Sequence, residues 1–489
     1  MALPEIARLS RLPAARLRAL ADRLRALDVN RASIAPFASH GEQLLDRLRG
    51  PVRTYYLRKQ GSALCFALRM FVFMDPVARL EAQTALGSAE LLADLLDAGL
   101  LVERAGGVVC PFYLNVVEDT YVFCDDLSKL GEAVMGAGAT TASLIQAAWP
   151  AAPVASVLDL GCGAGTAALL LKARASRAAG VDINPRAIAL SQLNRELNAL
   201  EHVDFACGDL FGPVADETFE LIVSQPPFVS KPDAEPGSTF LHGGARGDEL
   251  TLRLLGELPA RLTPGGRAVL LVDWPRYDAV PPLARVRAAL AGAACDVLLL
   301  VSQPKNIDEY VAFYAAGTHA ELGRGYADAV HAHLAHLERL GVDQLRSVFI
   351  VLRATSNEPW SHVVEMRASS DSKLTGVQLE RLIRAQDLLA GPEPDLLSAK
   401  LVIPADTRFA QADDGQVRIE LDPSRVVGAI TCNRGAAALL HAVHDGACVA
   451  DAAQALMAEL KLPAAERPRV IAGVRDALAQ GLLELPFAV

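Results

Sequence analysis

Val157-Leu158-Asp159-Leu160-Gly161-Cys162-Gly163-Ala164-Gly165 reads as a buried strand that stops in a glycine-rich turn, followed by a helix over Thr166–Ala173. Three glycines in five positions let the backbone approach a ligand where side chains would block it. A dinucleotide fingerprint would need a sixth-position glycine, as in G-x-G-x-x-G. Thr166 stands there instead. That departure turns the reading away from NAD and toward S-adenosylmethionine, whose methionine part carries an amine and a carboxylate but no pyrophosphate.

Working outward, strands and helices alternate over residues 131–355, the pattern of a parallel sheet with helices on both faces. The strand candidates are Val154–Leu160, Ala178–Asp182, Val203–Gly208, Phe219–Ser224, Gly266–Asp273, Ala294–Ser302 and Ser347–Arg353. The fold class is therefore α/β, a Rossmann-like seven-stranded sheet whose last strand inserts antiparallel beside the fifth. A helical insertion, Glu309–Leu340, separates the last two strands.

Residues 1–130 read as a helical, winged-helix-like segment. Pro13 kinks or divides a helix over Pro4–Leu27, and a second helix covers Gly41–Arg49. Leu64–Phe73 and Ala89–Ala98 follow as helices. Leu100–Glu103 and Val108–Tyr113 then flank a hairpin turn. Residues 356–489 read as mainly helical, with helices at Gly376–Leu389, Arg434–Asp445, Val449–Leu460 and Ala464–Gln480.

The chain has 489 residues, 52% hydrophobic and 21% charged, enough for several cores. Its net charge of −10 argues against non-specific nucleic-acid binding. Residues 1–60 alone carry twelve Lys and Arg against five acids, or +7, which leaves −17 for the rest. The eight cysteines are scattered, with no C-x-x-C, which suits reduced thiols in a cytoplasm and no bound metal. No 18-residue apolar run is present, so no membrane partner is expected.

The strand ends carry the chemistry. Asp159 can accept from a cofactor amine, with Gly161, Cys162, Gly163 and Gly165 around the methionine end. Asp182 lies 21 residues after Gly161, where a carboxylate can accept both ribose hydroxyls. Helix capping beside Asn184-Pro185 competes for it. Asp209 sits where it can accept from the adenine amino group, with Ile183 and Leu210 sandwiching the ring. Gln225-Pro226-Pro227-Phe228 follows the fourth strand at the ligand crevice. Its prolines make a stiff loop with free carbonyls. A planar NH2 group could donate to the Gln225 oxygen and the Pro226 carbonyl while stacking on Phe228.

This set resembles the class I S-adenosylmethionine-dependent methyltransferases, most closely the small-domain branch that includes protein-glutamine and adenine N-methyltransferases. The resemblance covers roughly 131–355. It implies that Asp159, Gly161 and Gly163 line the methionine site, Asp182 holds the ribose, Asp209 holds the adenine, and Gln225 to Phe228 take the acceptor. Where the family pattern begins with Asn or Asp, this chain has Gln225. The added methylene moves the amide by about 1.5 Å, one carbon–carbon bond. An acceptor of altered size or type, or a shifted loop, would follow.

His242 and Arg246, in a glycine-rich loop after Phe228, and Trp274, after the fifth strand, are further substrate candidates. Asp248 is expected to cap the next helix. Gly136–Thr141 is expected to cover the methionine end of the cofactor. The reading is N-methylation of a small molecule, peptide or protein side chain by in-line displacement. Adenine or guanine N-methylation is the alternative, favoured only by the basic N-terminus. From another class comes a cofactor-sensing winged-helix DNA-binding regulator, though Ala89–Ala98 is acidic and apolar, unlike a recognition helix. The terminal modules are read as serving homodimerisation or a lid.

Overall fold

The computed structural model describes residues 3–37, 43–127, 131–233, 238–277, 280–319, 322–366, 374–405, 407–411, 416–421, 425, 430–444 and 446–486. The start of the expected helix at Gly41 and the end of another at Asp445 lie outside these.

Pro13 divides the first helix, as its missing N–H and fixed φ require. A 3-10 turn, Leu9–Arg11, precedes it, and it N-caps the helix Ala14–Ala26. Four further helices (Arg31–Ile34, Gln43–Gln60, Ala63–Ala67, Arg79–Leu86) lead to Ala89–Asp97. The first hairpin pairs β1 (Val102–Arg104) with β2 (Gly107–Val109). Ala105 at φ 52° and Gly106 at φ 75° turn it in the left-handed sense that matches strand twist. The expected second strand, Val108–Tyr113, is broken. Pro111 cannot donate to a ladder, and the Cys110 N–H turns to the Met70 carbonyl instead. Tyr113 opens a separate hairpin, β3 (Tyr113–Val117) with β4 (Thr120–Cys124).

The main sheet follows: β5 (Val154–Leu160), β6 (Ala175–Asp182), β7 (Val203–Cys207) and β8 (Phe219–Ser224). Two short strands, β9 (Val229–Ser230) and β10 (His242–Gly244), pair beside it. It continues with β11 (Leu262–Arg276), β12 (Cys295–Val301), β13 (Gln344–Ala354) and β14 (Ser361–Glu365). The order is β14-β12-β13-β11-β8-β5-β6-β7. β13 runs antiparallel between β11 and β12, as the strand pattern predicts. An eighth strand, β14, adds parallel to β12 at the edge. The sheet thus runs past the expected boundary at 355.

The strands at its centre are buried on both faces, which accounts for their near-continuous apolar runs. From β5 the chain moves one way through β6 and β7, then returns to β8 on the other side. That reversal opens a crevice at the carboxyl ends of β5 and β8. Leu160 pairs with Ser224, and Asp182 with Cys207, so the four strand ends lie level. Between β12 and β13, helices Ile307–Thr318 and Arg324–Arg339 form a small core with Val229 and Tyr277. The C-terminal region has a three-stranded antiparallel sheet, β15 (Arg408–Gln411), β16 (Val417–Glu420) and β17 (Ile430–Cys432). Helices Arg434–His444, Val449–Glu459 and Arg467–Ala479 follow it, over a separate core.

Among the described residues, the N-terminal segment shares its core with the main sheet. Leu20, Phe71 and Phe123 belong to the same cluster as Val157, Leu171 and Leu193. The join is polar as well as apolar. Helix Pro185–Leu197 lies along the free edge of β4. Asn194 accepts from the Phe123 N–H at 2.8 Å and donates to its carbonyl at 2.9 Å. Asn198 treats Tyr121 the same way, at 2.9 and 2.7 Å. Asn194 also donates to the Ala164 carbonyl at 3.0 Å, beside the glycine turn. Below it, the buried Asp125 and Arg186 pair at 2.6 and 2.7 Å. Replacing Asn194, which is fully buried, by Ala leaves three backbone groups of this join without that partner. Asn194→Ala is expected to cost about 2–4 kcal/mol, read as a lower urea midpoint. An unchanged midpoint would show that the join carries no stability.

Candidate active site

The glycine turn closes by backbone geometry. Gly161, Gly163 and Gly165 have φ of 75°, 51° and 83°. At Gly165 a Cβ would stand 2.8 Å from the Phe205 ring and 2.9 Å from Ser191, so only glycine can start the helix Thr166–Leu171. Asp182 ties this turn to the next one. Its carboxylate accepts from the Gly163 N–H at 2.8 Å and the Asn184 N–H at 2.9 Å. The competing role is also visible, but the helix cap is Asn184, whose oxygen accepts from Arg186 N–H.

A cleft enclosing about 1100 Å³ of space open to solvent lies over the strand ends. Asp159, Gly161, Cys162 and Gly163 line its floor. Asp182, Ile183, Asp209 and Leu210 line one side, and Gln225 and Pro227 another. The sequence thus places ten of its site residues around one cavity. Ile183, 60% exposed, offers a bare apolar rim there.

Three of these residues have partners that the sequence did not show. Asp159 accepts from the Ala168 N–H at 3.0 Å, bracing the first helical turn. Burial, with a smaller push from the Asp182 charge, raises its pKa to about 7 against the helix N–H groups. Burial likewise raises Asp182. Asp209 pairs with Arg253 at 2.7 and 3.2 Å on the exposed rim. The carboxamide of Gln225 spans two hydroxyls. Its oxygen accepts from Thr141 at 3.2 Å, and its nitrogen donates to Thr140 at 2.8 Å.

The other candidates lie elsewhere. Gly165 and the buried Pro226 shape the turns without lining the cleft. Phe228 is half-buried between two hydrophobic cores, so its ring serves packing in this conformation. His242 Nδ1 accepts from the Ser238 N–H at 3.1 Å, and burial pushes its pKa down to about 4. Arg246 lies 4.0 Å over the Tyr277 ring. Arg285 stacks on Tyr277 and Trp274 and pairs with Asp248. His242, Arg246 and Trp274 are therefore placed in the brace behind the loop, outside the cleft lining. Asp248 holds the N-cap position, yet its carboxylate serves Arg285 and not the helix.

The cleft also takes Met135, Gly136 and Thr141 from before β5, and Thr239, Phe240 and Leu250 from beyond β9. Gly136 and Thr141 fall in the stretch expected to cover the cofactor. Thr239, Phe240 and Leu250 carry no motif, and only their nearness to the glycine-rich loop, with Leu250 in the first turn of the helix Glu249–Glu257, could have pointed to them.

The doubly wound sheet, with a cleft at the ends of its central strands, is a Rossmann-like α/β fold. Residues 138–272 match the family described as Methyltransferase small domain. Release factor glutamine methyltransferase of Geobacter sulfurreducens is 32% identical over 180 residues, covering 34% of this chain and 62% of that protein. Ribosomal protein uL3 glutamine methyltransferase of Bradyrhizobium diazoefficiens is 33% identical over 171 residues, covering 32% and 51%. Ribosomal RNA small subunit methyltransferase C of Chromohalobacter salexigens is 34% identical over 125 residues, covering 25% and 33%. The chain spans between a third and about three fifths of these relatives' own lengths.

The raised carboxyl of Asp159 has a measurable consequence. The folded state binds its proton more tightly than the unfolded state, so the native protein gains stability at low pH. That gain is full below about pH 4 and lost as pH rises through about 7. Asp159→Asn removes the charge and keeps an oxygen for Ala168. The variant is expected to gain about 2–4 kcal/mol relative to the parent between pH 4 and 8. Parallel stability–pH curves in urea would refute the buried, raised carboxyl.

Proposed function

We propose that this protein is an S-adenosylmethionine-dependent methyltransferase that modifies a nitrogen of a protein side chain. The observation that carries the reading is the convergence of Asp182, the glycine turn and Gln225 on one cleft. The cleft suits the cofactor on its own chemistry. Positive-φ glycines clear backbone space, and the carboxylates of the buried Asp159 and the half-buried Asp182 complement a ligand that carries cationic groups. When bound, S-adenosylmethionine supplies an electrophilic methyl on a sulfonium.

The protein's own task is then alignment, with no metal required. Asp182 faces the ribose hydroxyls, and Ile183 with Leu210 provides apolar surface for the adenine. Gln225 Oε1 accepts an N–H group from the acceptor, directing its lone pair, on the stiff turn that Pro226 and Pro227 set. The proton leaves from nitrogen after attack, so a strong base is not needed. Phe240 and Leu250 exclude water from the reacting end.

The named substrates of the Geobacter and Bradyrhizobium relatives support a protein side-chain amide as acceptor. Similarity to the ribosomal RNA enzyme, with the basic first sixty residues, supports nucleobase methylation as the second reading. DNA-binding regulation draws less support. The helix Ala89–Asp97 presents Glu90, Asp94 and Asp97, and they pair with Arg16 and Arg8. We place the protein in the cytoplasm; among the described residues no helix is long and apolar enough to cross a membrane. The terminal segments are assigned to dimerisation or substrate docking.

Calorimetry tests the cofactor. S-adenosylmethionine should bind, NAD should not, and Asp182→Ala should weaken binding by about tenfold or more, as expected on losing an ionic hydrogen-bond partner. The cationic ligand favours the ionised forms of Asp159 and Asp182, so binding should release protons. Affinity should therefore rise from pH 6 to 8, and the apparent enthalpy should depend on buffer ionisation. Absent binding, or binding indifferent to Asp182→Ala, ends the cofactor assignment. Tritiated methyl transfer into cell extract, split into protein, nucleic-acid and small-molecule fractions, then decides the acceptor. Label confined to RNA would overturn the protein reading.

A further inference from the structure

Gln225 is the one residue of the acceptor loop whose chemistry differs from the family pattern, and it is held from outside its own loop. Thr140 and Thr141 open the helix Ala139–Ala148, after the extended Gly138. The approach to that helix is itself fixed. The Ala137 N–H donates to Asn115 Oδ1 at 3.1 Å, and the Met135 carbonyl accepts from the Ala164 N–H at 3.2 Å. A Cβ on Gly136 would fall 2.4 Å from the Asn115 oxygen, so the chain is pressed against β3 there. The two hydroxyls are thus mounted on a segment tied both to the N-terminal hairpin and to the glycine turn.

A primary carboxamide has two N–H groups and two oxygen lone pairs. Thr140 takes one N–H of Gln225, and Thr141 takes one lone pair. One of each remains. An unclamped Gln would sample several rotamers over three side-chain torsions. Clamped at both ends of its amide, it has a set plane. Thr141 and Gln225 both line the cleft, so the clamp borders the space where the acceptor would sit.

We propose that Thr140 and Thr141 are positioning residues for Gln225, and that they compensate for its extra methylene by orienting the amide toward the methyl acceptor. This inference rests on the methyltransferase reading above. It implies an acceptor that presents an N–H beside a lone pair, matching the two positions left on Gln225. A side-chain carboxamide has that pattern, whereas a protonated amine lacks the lone pair.

The test uses the full chain, tritiated S-adenosylmethionine and the protein fraction of a cell extract as acceptor. Thr140→Val and Thr141→Val, singly and together, remove the hydroxyls. Thr140→Ser and Thr141→Ser keep them. Calorimetry reports cofactor affinity, and thermal unfolding confirms that each variant folds. Should either Val variant fail to fold, the Ala variant replaces it.

The double Val variant should bind S-adenosylmethionine within about twofold of the parent. Its maximal transfer rate should fall by about 10- to 100-fold, the order expected for a misplaced reacting group, with little change in half-saturating acceptor. The Ser variants should recover most of the rate. In a Gln225→Ala background the Thr changes should add less than about twofold, because the group they position is gone.

A double Val variant that keeps its rate, while Gln225→Ala loses it, overturns the positioning role and leaves the methyltransferase reading intact. Loss of cofactor affinity in step with the rate overturns it as well, assigning the hydroxyls to the cofactor. A parent that binds no S-adenosylmethionine overturns both.

Discussion

The carboxylate of Asp182 is the tie on which the cleft depends. It receives the Gly163 N–H from the first turn and the Asn184 N–H from the second. Two loops that leave adjacent strands are thereby set at a fixed separation. The glycines make that closeness sterically possible, since Gly165 has no room for a side chain between Phe205 and Ser191. The cost is electrostatic. Asp159 is buried and Asp182 half-buried, and the loss of water disfavours both charges. A cationic ligand relieves that conflict, which the protein holds in place by backbone hydrogen bonds.

Around this tie, polar groups do two tasks at once. Asn184 caps its helix and donates to the Glu132 carbonyl, anchoring the segment that covers the cleft. Asn194 holds both β4 and the glycine turn. Arg285 braces Asp248 behind the Gln225–Phe228 loop while stacking on two aromatic rings. The turn after β10 is thus fixed to the end of β11, and Gly243 lets the Pro227 and Gly247 carbonyls come close to it.

The sheet was legible because each central strand is a short apolar run ended by a turn residue, and because the spacing of Gly161, Asp182, Asp209 and Gln225 follows strand ends that lie level. The antiparallel last strand was legible from strand count. β14 was not. Ser361–Glu365 is polar at both ends and lies at an edge, where only one neighbour shapes its composition. Nor could periodicity reveal that Pro111 splits one expected strand into parts of two hairpins. In the site, motif residues were found and their partners were not. Asp209 is level with the cleft as expected, but Arg253, 44 residues away, shares its charge. Phe228 satisfies a stacking motif by type and is spent on packing. Thr140 and Thr141 sit in a run of glycine and alanine, with nothing in sequence to link them to Gln225, 85 and 84 residues on.

The amide ladder between Asn194, Asn198 and β4 works because two periodicities nearly coincide. Four residues of helix advance about 6.0 Å, and two residues of strand about 6.6 Å. A helix can therefore stand in for a neighbouring strand over one repeat, and the mismatch limits the substitution to about that length. Through this splice the segment Ala133–Gly136 is brought down as one wall of the cleft. The boundary of the matched segment, at residue 138, thus cuts through the cleft and does not enclose it. A fragment that began there would keep the glycine turn and lose the surface facing it. The matched segment and the physical unit that forms the cleft do not share an edge.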